Sequence, residues 1–247
     1  MSRILINFDD FIMTKLFAHR GESFYEPENT IEAIKLAWDN NADGIEIDVR
    51  LTSDNKIVVI HDRNTRRTTG KYGRVNSRTL AELKNIDASI PSLYEVLALT
   101  PRGKTVMIEI KCGIEIIPLM KKLLVSTHMH HSQILLAGFG LKKMTEIKKA
   151  FPGFVAFRIK RIDSENLILK SLRIDRMIAT CRKSKLDGVS LSYSRWLNKK
   201  NITKIKASGL KVFIWTVDNP KRALRLKNLG IDGIITNRSS WIREKIK

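Results

Sequence analysis

The chain has 247 residues, of which 43% are apolar and 28% charged, enough for a core and too little bias for wholesale disorder. Six prolines and 13 glycines exclude a collagenous or low-complexity chain, and two distant cysteines, Cys112 and Cys181, exclude a thiolate metal centre and suit a reducing compartment. Lys and Arg exceed Asp and Glu by 20, but residues 101–247 carry +22 and residues 1–100 carry −2. Without a zinc-finger, homeodomain or aromatic RNA-binding signature, that excess reads as solvated helix faces and not as a specific nucleic-acid surface.

Residues 1–13 (MSRILINFDDFIM) place two Asp inside their apolar stretch and offer no small-residue cleavage site, so a secretory leader is not expected. No run approaches the ~18 apolar residues of a spanning helix, and the expected location is the cytoplasm. Short Val-, Ile- and Phe-rich runs predict strands at 16–19, 44–49, 106–111, 134–138, 154–159, 188–193, 211–217 and 233–236. Helical patterns fall between them at 30–40, 114–129, 141–150, 197–207 and 220–229. Asn29 or Thr30 can cap the first, and Glu32 places acid in its first turn. One more apolar run, 57–60, follows the second strand after about six residues, too few for a parallel crossover. It must fold back antiparallel. The eight remaining strands alternate with helices in an α/β pattern that specifies a (β/α)8 TIM barrel with an antiparallel hairpin strand inserted after the second barrel strand. No linker or internal repeat interrupts it, so 1–247 is expected to be one domain.

In such barrels the reacting groups project from the C-terminal strand ends. The first strand ends in Ala18-His19-Arg20-Gly21, and the second carries Glu46 and Asp48, two apart and on one face. If the hairpin turns near Asp54–Asn55, paired residues sum to about 109 and His61 falls opposite Asp48. Glu109 and Lys111 sit on the third barrel strand. His19, Glu46, Asp48, His61 and Glu109 are thereby expected at one mouth. Three carboxylates cannot share an apolar mouth while ionised unless a cation joins them, and Mg²⁺ or Ca²⁺ suits oxygen ligands. Two histidines supply acid and base near neutral pH, and Arg20 and Lys111 suit non-bridging phosphate oxygens. Together these are the parts for displacement at phosphorus.

Other features have plainer readings. His61-Asp62 alone would suit an all-helical metal phosphohydrolase, but its surroundings are strand-like. His128, His130 and His131 follow an amphipathic stretch and read as exposed helix C-capping residues.

The stretch from Ala18 to Gly70 carries HRG, PENT, E-x-D-V, T-x-D, V-V-I-HD and a Thr-Thr pair in order. Together with IPSLYEVL, IEIK, WTVDNP and GIDGIITN, it closely resembles the glycerophosphodiester phosphodiesterase family. The resemblance implies a metal-bearing barrel that hydrolyses small-molecule glycerophosphodiesters to glycerol 3-phosphate and an alcohol, by attack of the glycerol hydroxyl and opening of a cyclic phosphate. It implies His19 and His61 as acid and base, Glu46, Asp48 and Glu109 as ligands of Mg²⁺ or Ca²⁺, Arg20 and Lys111 as phosphate contacts, and Phe139 and Trp215 in the substrate pocket. Three positions depart from the family pattern. Only Ser89 separates Asp87-Ala88 from Ile90-Pro91, where many members carry a capping segment. Gly138 replaces a serine, and Asn237 replaces an aspartate while keeping an oxygen acceptor. The short cap and basic second half also suggest a lysophospholipase D-like activity at an anionic membrane, with peripheral contact. A non-catalytic polyanion-binding barrel is a remoter reading, and the oligomeric state is not legible.

Overall fold

The computed structural model describes residues 14–162 and 168–247; residues 1–13, read above as lacking a leader, lie outside them. Nine strands appear among the described residues: β1 (Lys15–His19), β2 (Gly44–Leu51), β3 (Ile57–Val59), β4 (Thr105–Ile110), β5 (Ile134–Gly138), β6 (Val155–Lys160), β7 (Gly188–Ser192), β8 (Lys211–Trp215) and β9 (Gly233–Thr236). Eight run parallel in the order β1-β2-β4-β5-β6-β7-β8-β9, and β9 returns to β1 to close the barrel. No edge remains on those eight, and β3 pairs antiparallel outside, on β2.

The barrel is filled, not hollow. Phe17, Met107, Phe157 and Phe213, from alternate barrel strands, are fully buried inside it. The Phe213 ring meets Phe17 and Phe157 edge-to-face at centroid distances of 5.1 and 5.0 Å. Each phenylalanine faces a glycine on the next strand: Phe17 pairs with Gly44, Phe157 with Gly188 and Phe213 with Gly233. A β-carbon there would lie 2.3–2.5 Å from the ring, so the glycines exist to admit the rings. This apolar plug is the floor on which the site rests.

The helices among the described residues are α1 (Ile31–Asp39), α2 (Arg66–Thr69), α3 (Leu80–Ile86), α4 (Leu93–Ala98), α5 (Ile116–Val125), α6 (Leu141–Ala150), α7 (Ile168–Lys183), α8 (Lys199–Ala207), α9 (Pro220–Asn228) and α10 (Ser239–Lys245); α2 buries no residue, and α3 packs Leu83 with Val58 and Ile60 beside the barrel. Thr79 with Glu82 and Ser92 with Glu95 form complete capping boxes at α3 and α4. The helix expected over 114–129 ends at Val125. The histidines beyond it do not cap it: His128 Nε2 meets the Thr100 carbonyl at 3.2 Å, and His130 caps the next short turn. None of the described helices is long and apolar enough to cross a membrane.

The hairpin register differs by one from the expected sum. Val49 pairs with Val59 and Leu51 with Ile57, a sum of 108, so Ile60, not His61, lies opposite Asp48 and donates its N–H to the Asp48 carbonyl at 2.9 Å. The turn holds three residues, 53–55, closed by Thr52 and Lys56, with Asn55 left-handed at φ 57°, which centres it on Asp54. Strand geometry ends at Val59, so alternation no longer dictates where His61 points.

Candidate active site

Strand register assembles the site. His19 is the lateral neighbour of Glu46, and Asp48 of Glu109. Beyond β1 the backbone turns sharply: Arg20 is left-handed at φ 58° and Gly21 follows at φ 81°. A β-carbon on Gly21 would lie 2.6 Å from the Ala33 backbone, so this glycine lets the loop press against α1 and aims Arg20 back over the mouth. His19, Arg20, Glu46, His61, Glu109, Lys111, Phe139 and Trp215 line one cavity of about 60 Å³ at that mouth. Asp48 lies beneath it, fully buried. Every residue expected at the site is therefore at or directly under the same opening.

One carboxylate oxygen each from Glu46, Asp48 and Glu109 lie within 4.8 Å of one another. Arg20 Nε is 3.1 Å from Asp48 Oδ2, and Lys111 Nζ lies 3.1 Å from Asp48 Oδ1 and 2.6 Å from Glu109 Oε1. Even so, Glu46 Oε2, Asp48 Oδ1 and Glu109 Oε1 are buried and lack a partner with hydrogen-bonding angles. Burial and the neighbouring Asp48 and Glu109 charges push Glu46 well above its ordinary pKa. Burial, then Asp48, raises Glu109. Burial also opposes ionisation of Asp48, but Lys111 and Arg20 outweigh it and hold that carboxyl below the usual range. With all three carboxylates ionised, the two cations leave one excess negative charge. An oxygen-seeking divalent cation fits this donor set and turns the balance to +1, matched to a monoanionic phosphodiester.

Asn29, left-handed at φ 60°, does not cap α1. Thr30 does, accepting from the Ala33 N–H at 3.2 Å. Asn29 instead donates Nδ2 to Asp48 Oδ2 at 3.0 Å and accepts the Asp48 N–H at 3.2 Å. Glu28 beside it joins Arg20 (2.9 Å) to Arg67 (2.6 Å), Arg67 reaches Asp62 at 2.5 Å, and Asp62 Oδ1 takes His61 Nδ1 at 2.6 Å. One ion-pair chain thus ties a phosphate-suited cation to a histidine. Burial lowers the His61 pKa, partly offset by Asp48 and the Asp62 bond.

His19 has a different partner. Its Nδ1 lies 2.7 Å from Asn237 Oδ1, and Asn237 Nδ2 donates to Asp218 Oδ2 at 2.6 Å. An ionised carboxylate only accepts, so Asp218 fixes the amide with its oxygen toward His19. His19 Nδ1 must then carry the proton, leaving the Nε2 lone pair free, 3.8 Å from Glu46 Oε2. Burial, followed by Arg20, lowers the His19 pKa to about 4, so the ring is neutral near pH 7.

Phe139 and Trp215 form one wall, edge-to-face at 6.2 Å, with Lys111 Nζ 5.9 Å from the Phe139 ring centre. Ser190 and Arg161, not singled out from sequence, also line the cavity. Ser190 Oγ and Trp215 Nε1 are buried without a hydrogen-bond partner, as groups that meet a polar ligand would be. Gly138 does not leave a hole where a serine is usual. A β-carbon would meet Met144 Sδ at 2.9 Å and Lys143 Cε at 3.3 Å, and the Lys143 ammonium instead donates to the Ile110 and Cys112 carbonyls.

Comparison with known proteins identifies the family. Residues 19–240 match the model of the glycerophosphoryl diester phosphodiesterase family. A glycerophosphodiester phosphodiesterase of Caldanaerobacter subterraneus subsp. tengcongensis is 32% identical over 244 residues, covering 91% of this chain and 94% of its own. One of Bacillus altitudinis is 32% identical over 257 residues, covering 95% and 100%. The crystal structure of the Thermotoga maritima glycerophosphodiester phosphodiesterase superposes with a TM-score of 0.79 at 27% identity, covering 94% of this chain and 97% of that one. The chain belongs to the glycerophosphoryl diester phosphodiesterase family.

Proposed function

We propose that this chain, acting as one barrel domain, hydrolyses glycerophosphodiesters to glycerol 3-phosphate and an alcohol, with His19 as base and His61 as acid. The observation that carries the role assignment is the contrast between their partners: an amide whose oxygen faces His19, and a carboxylate on His61. The first leaves a neutral ring with an outward lone pair; the second offsets part of the burial that lowers the His61 pKa and so favours a proton there. Arg20 and Lys111 would hold the non-bridging oxygens. His19 Nε2 takes the proton of the glycerol hydroxyl as its oxygen bonds to phosphorus, the bond from phosphorus to the alcohol oxygen breaks, His61 protonates that oxygen as it leaves, and water then adds across the cyclic phosphate to give glycerol 3-phosphate. Glu46, Asp48 and Glu109 would hold a divalent cation, Mg²⁺ or Ca²⁺, which supplies Lewis acidity and charge neutralisation at a phosphate oxygen. Phe139 and Trp215 would pack the glycerol carbons, with Ser190 within the same cavity to meet a hydroxyl.

The test is release of glycerol 3-phosphate from glycerophosphocholine, glycerophosphoethanolamine and glycerophosphoglycerol, beside release of head group from a lysophospholipid. Turnover of the diesters is expected, stopped by EDTA and restored by Mg²⁺, Ca²⁺ or Mn²⁺. Turnover of the lysophospholipid alone would move the activity to a membrane substrate, and full activity in EDTA would remove the cation.

The role of Asn237 is separately testable. Asn237→Leu removes the acceptor that orients His19 and is expected to lower kcat about tenfold or more, ~1.4 kcal/mol of transition-state stabilisation, with KM little changed. Asn237→Asp keeps the acceptor and is expected to retain turnover. Its charge raises the His19 pKa from about 4, a shift read directly by NMR titration of the His19 ring. An unmoved ring pKa would detach Asn237 from His19.

A further inference from the structure

A second groove of about 300 Å³ opens beside the catalytic cavity and shares Lys111 with it. Arg50, Arg63 and Arg74 line it, and Glu115 is the one acid among its described lining residues. Glu115 is engaged locally, accepting the Gly113 N–H at 2.9 Å. Among the described residues no carboxylate lies within ion-pair distance of the Arg50, Arg63 or Arg74 guanidinium. This is unusual locally, since Arg20 and Arg67 next door each hold two carboxylates. The groove therefore gathers positive charge that the chain itself does not neutralise.

Its position relates it to one half of the substrate. Arg50 Nε donates to the His61 carbonyl at 2.9 Å, and Arg63 follows His61 by two residues, so the groove begins behind the proposed acid. The departing alcohol must lie on that side. We propose that the groove is a second anion subsite, which takes a phosphate carried by the alcohol half of the diester, so that the favoured substrates are glycerophosphodiesters whose alcohol bears its own phosphate. Guanidinium forks suit this ligand because they bind phosphate oxygens in pairs. The inference rests on the diesterase reading above and on His61 as the acid.

The test compares kcat/KM for glycerophosphoglycerol with that for the same diester bearing a glycerophosphate on its leaving glycerol. The wild type is expected to favour the phosphorylated alcohol about tenfold or more at low salt, falling as salt rises. In R63Q/R74Q, both exposed positions, the ratio of the two values is expected to approach one, and R63K/R74K should keep part of it. A wild-type ratio near one, or a ratio unchanged in R63Q/R74Q, would overturn the subsite while leaving the diesterase reading intact. Turnover of neither substrate would overturn both. Loss of co-sedimentation with phosphatidylglycerol vesicles in R63Q/R74Q at an unchanged ratio would also overturn it, assigning the arginines to a membrane surface.

Discussion

His19→Ala is expected to lower kcat by about 10³-fold, within the range general acid–base groups supply, while thermal stability and KM stay close to wild type. The side chain sits at the rim, 16% exposed, and its one hydrogen-bonded side-chain partner, Asn237, keeps its own bond to Asp218 when the ring is gone. Little of the core depends on it. The variant loses a lone pair held toward the cavity on a ring whose pKa of about 4 keeps it unprotonated. In the wild type the base form is complete well above pH 4 and is withdrawn only as pH falls through that value. Added imidazole is expected to restore part of the rate to the alanine variant, since the truncation leaves space beside a competent acid. His61→Ala should lose turnover as well, and more severely for substrates with poorly leaving alcohols, because an acid matters in proportion to the basicity of the oxygen it protonates. Wild-type turnover in His19→Ala would remove it from the chemistry.

The range over which each constraint acts decided which parts of this site were legible in the sequence. The strands were legible because parallel barrel strands are buried on both faces and read as apolar runs, and because Glu46, Asp48 and Glu109 interrupt those runs with charge. A carboxylate inside such a run has no inexpensive structural explanation. The hairpin was legible from loop length, but its register slipped by one since the turn centres on Asp54 and not between Asp54 and Asn55. The supporting partners were hidden for another reason. Asn29 looks like a helix cap in sequence, and only the left-handed backbone that turns it toward Asp48 reveals its role. Asp218 and Asn237 lie about 200 residues from His19, and no local periodicity encodes that pairing. Helix α7 went unassigned between the fifth and sixth barrel strands because charged residues dilute its apolar face, which among its described side chains rests on Ile174, Met177 and Cys181. The Phe–Gly pairs inside the barrel are likewise cross-strand facts, invisible until register is known.

The largest combined effect is expected at Asp48. Asp48→Ala should abolish turnover and also destabilise the fold by about 3 kcal/mol, the low end of the cost of removing one partner from a buried ion cluster. Arg20 Nε, Lys111 Nζ and Asn29 Nδ2 all converge on this carboxylate, but both cations are partly exposed and can turn toward water, which limits the loss. Asp48→Asn keeps a partner for Asn29 and should recover much of the stability without the activity. The same cluster predicts how a cation binds. Glu46 and Glu109 have raised pKa values through burial and neighbouring charge, so each tends to hold a proton that an incoming cation must displace. Protons and cation compete for the same oxygens, and affinity therefore falls as pH drops. The rise in melting temperature on adding Mg²⁺, Ca²⁺ or Mn²⁺ should accordingly be larger at pH 8 than at pH 5.5, and should vanish in Asp48→Ala at either pH. A shift independent of pH would mean that the two glutamates are already ionised in the empty cluster, and that Arg20 and Lys111 compensate all three carboxylates without help.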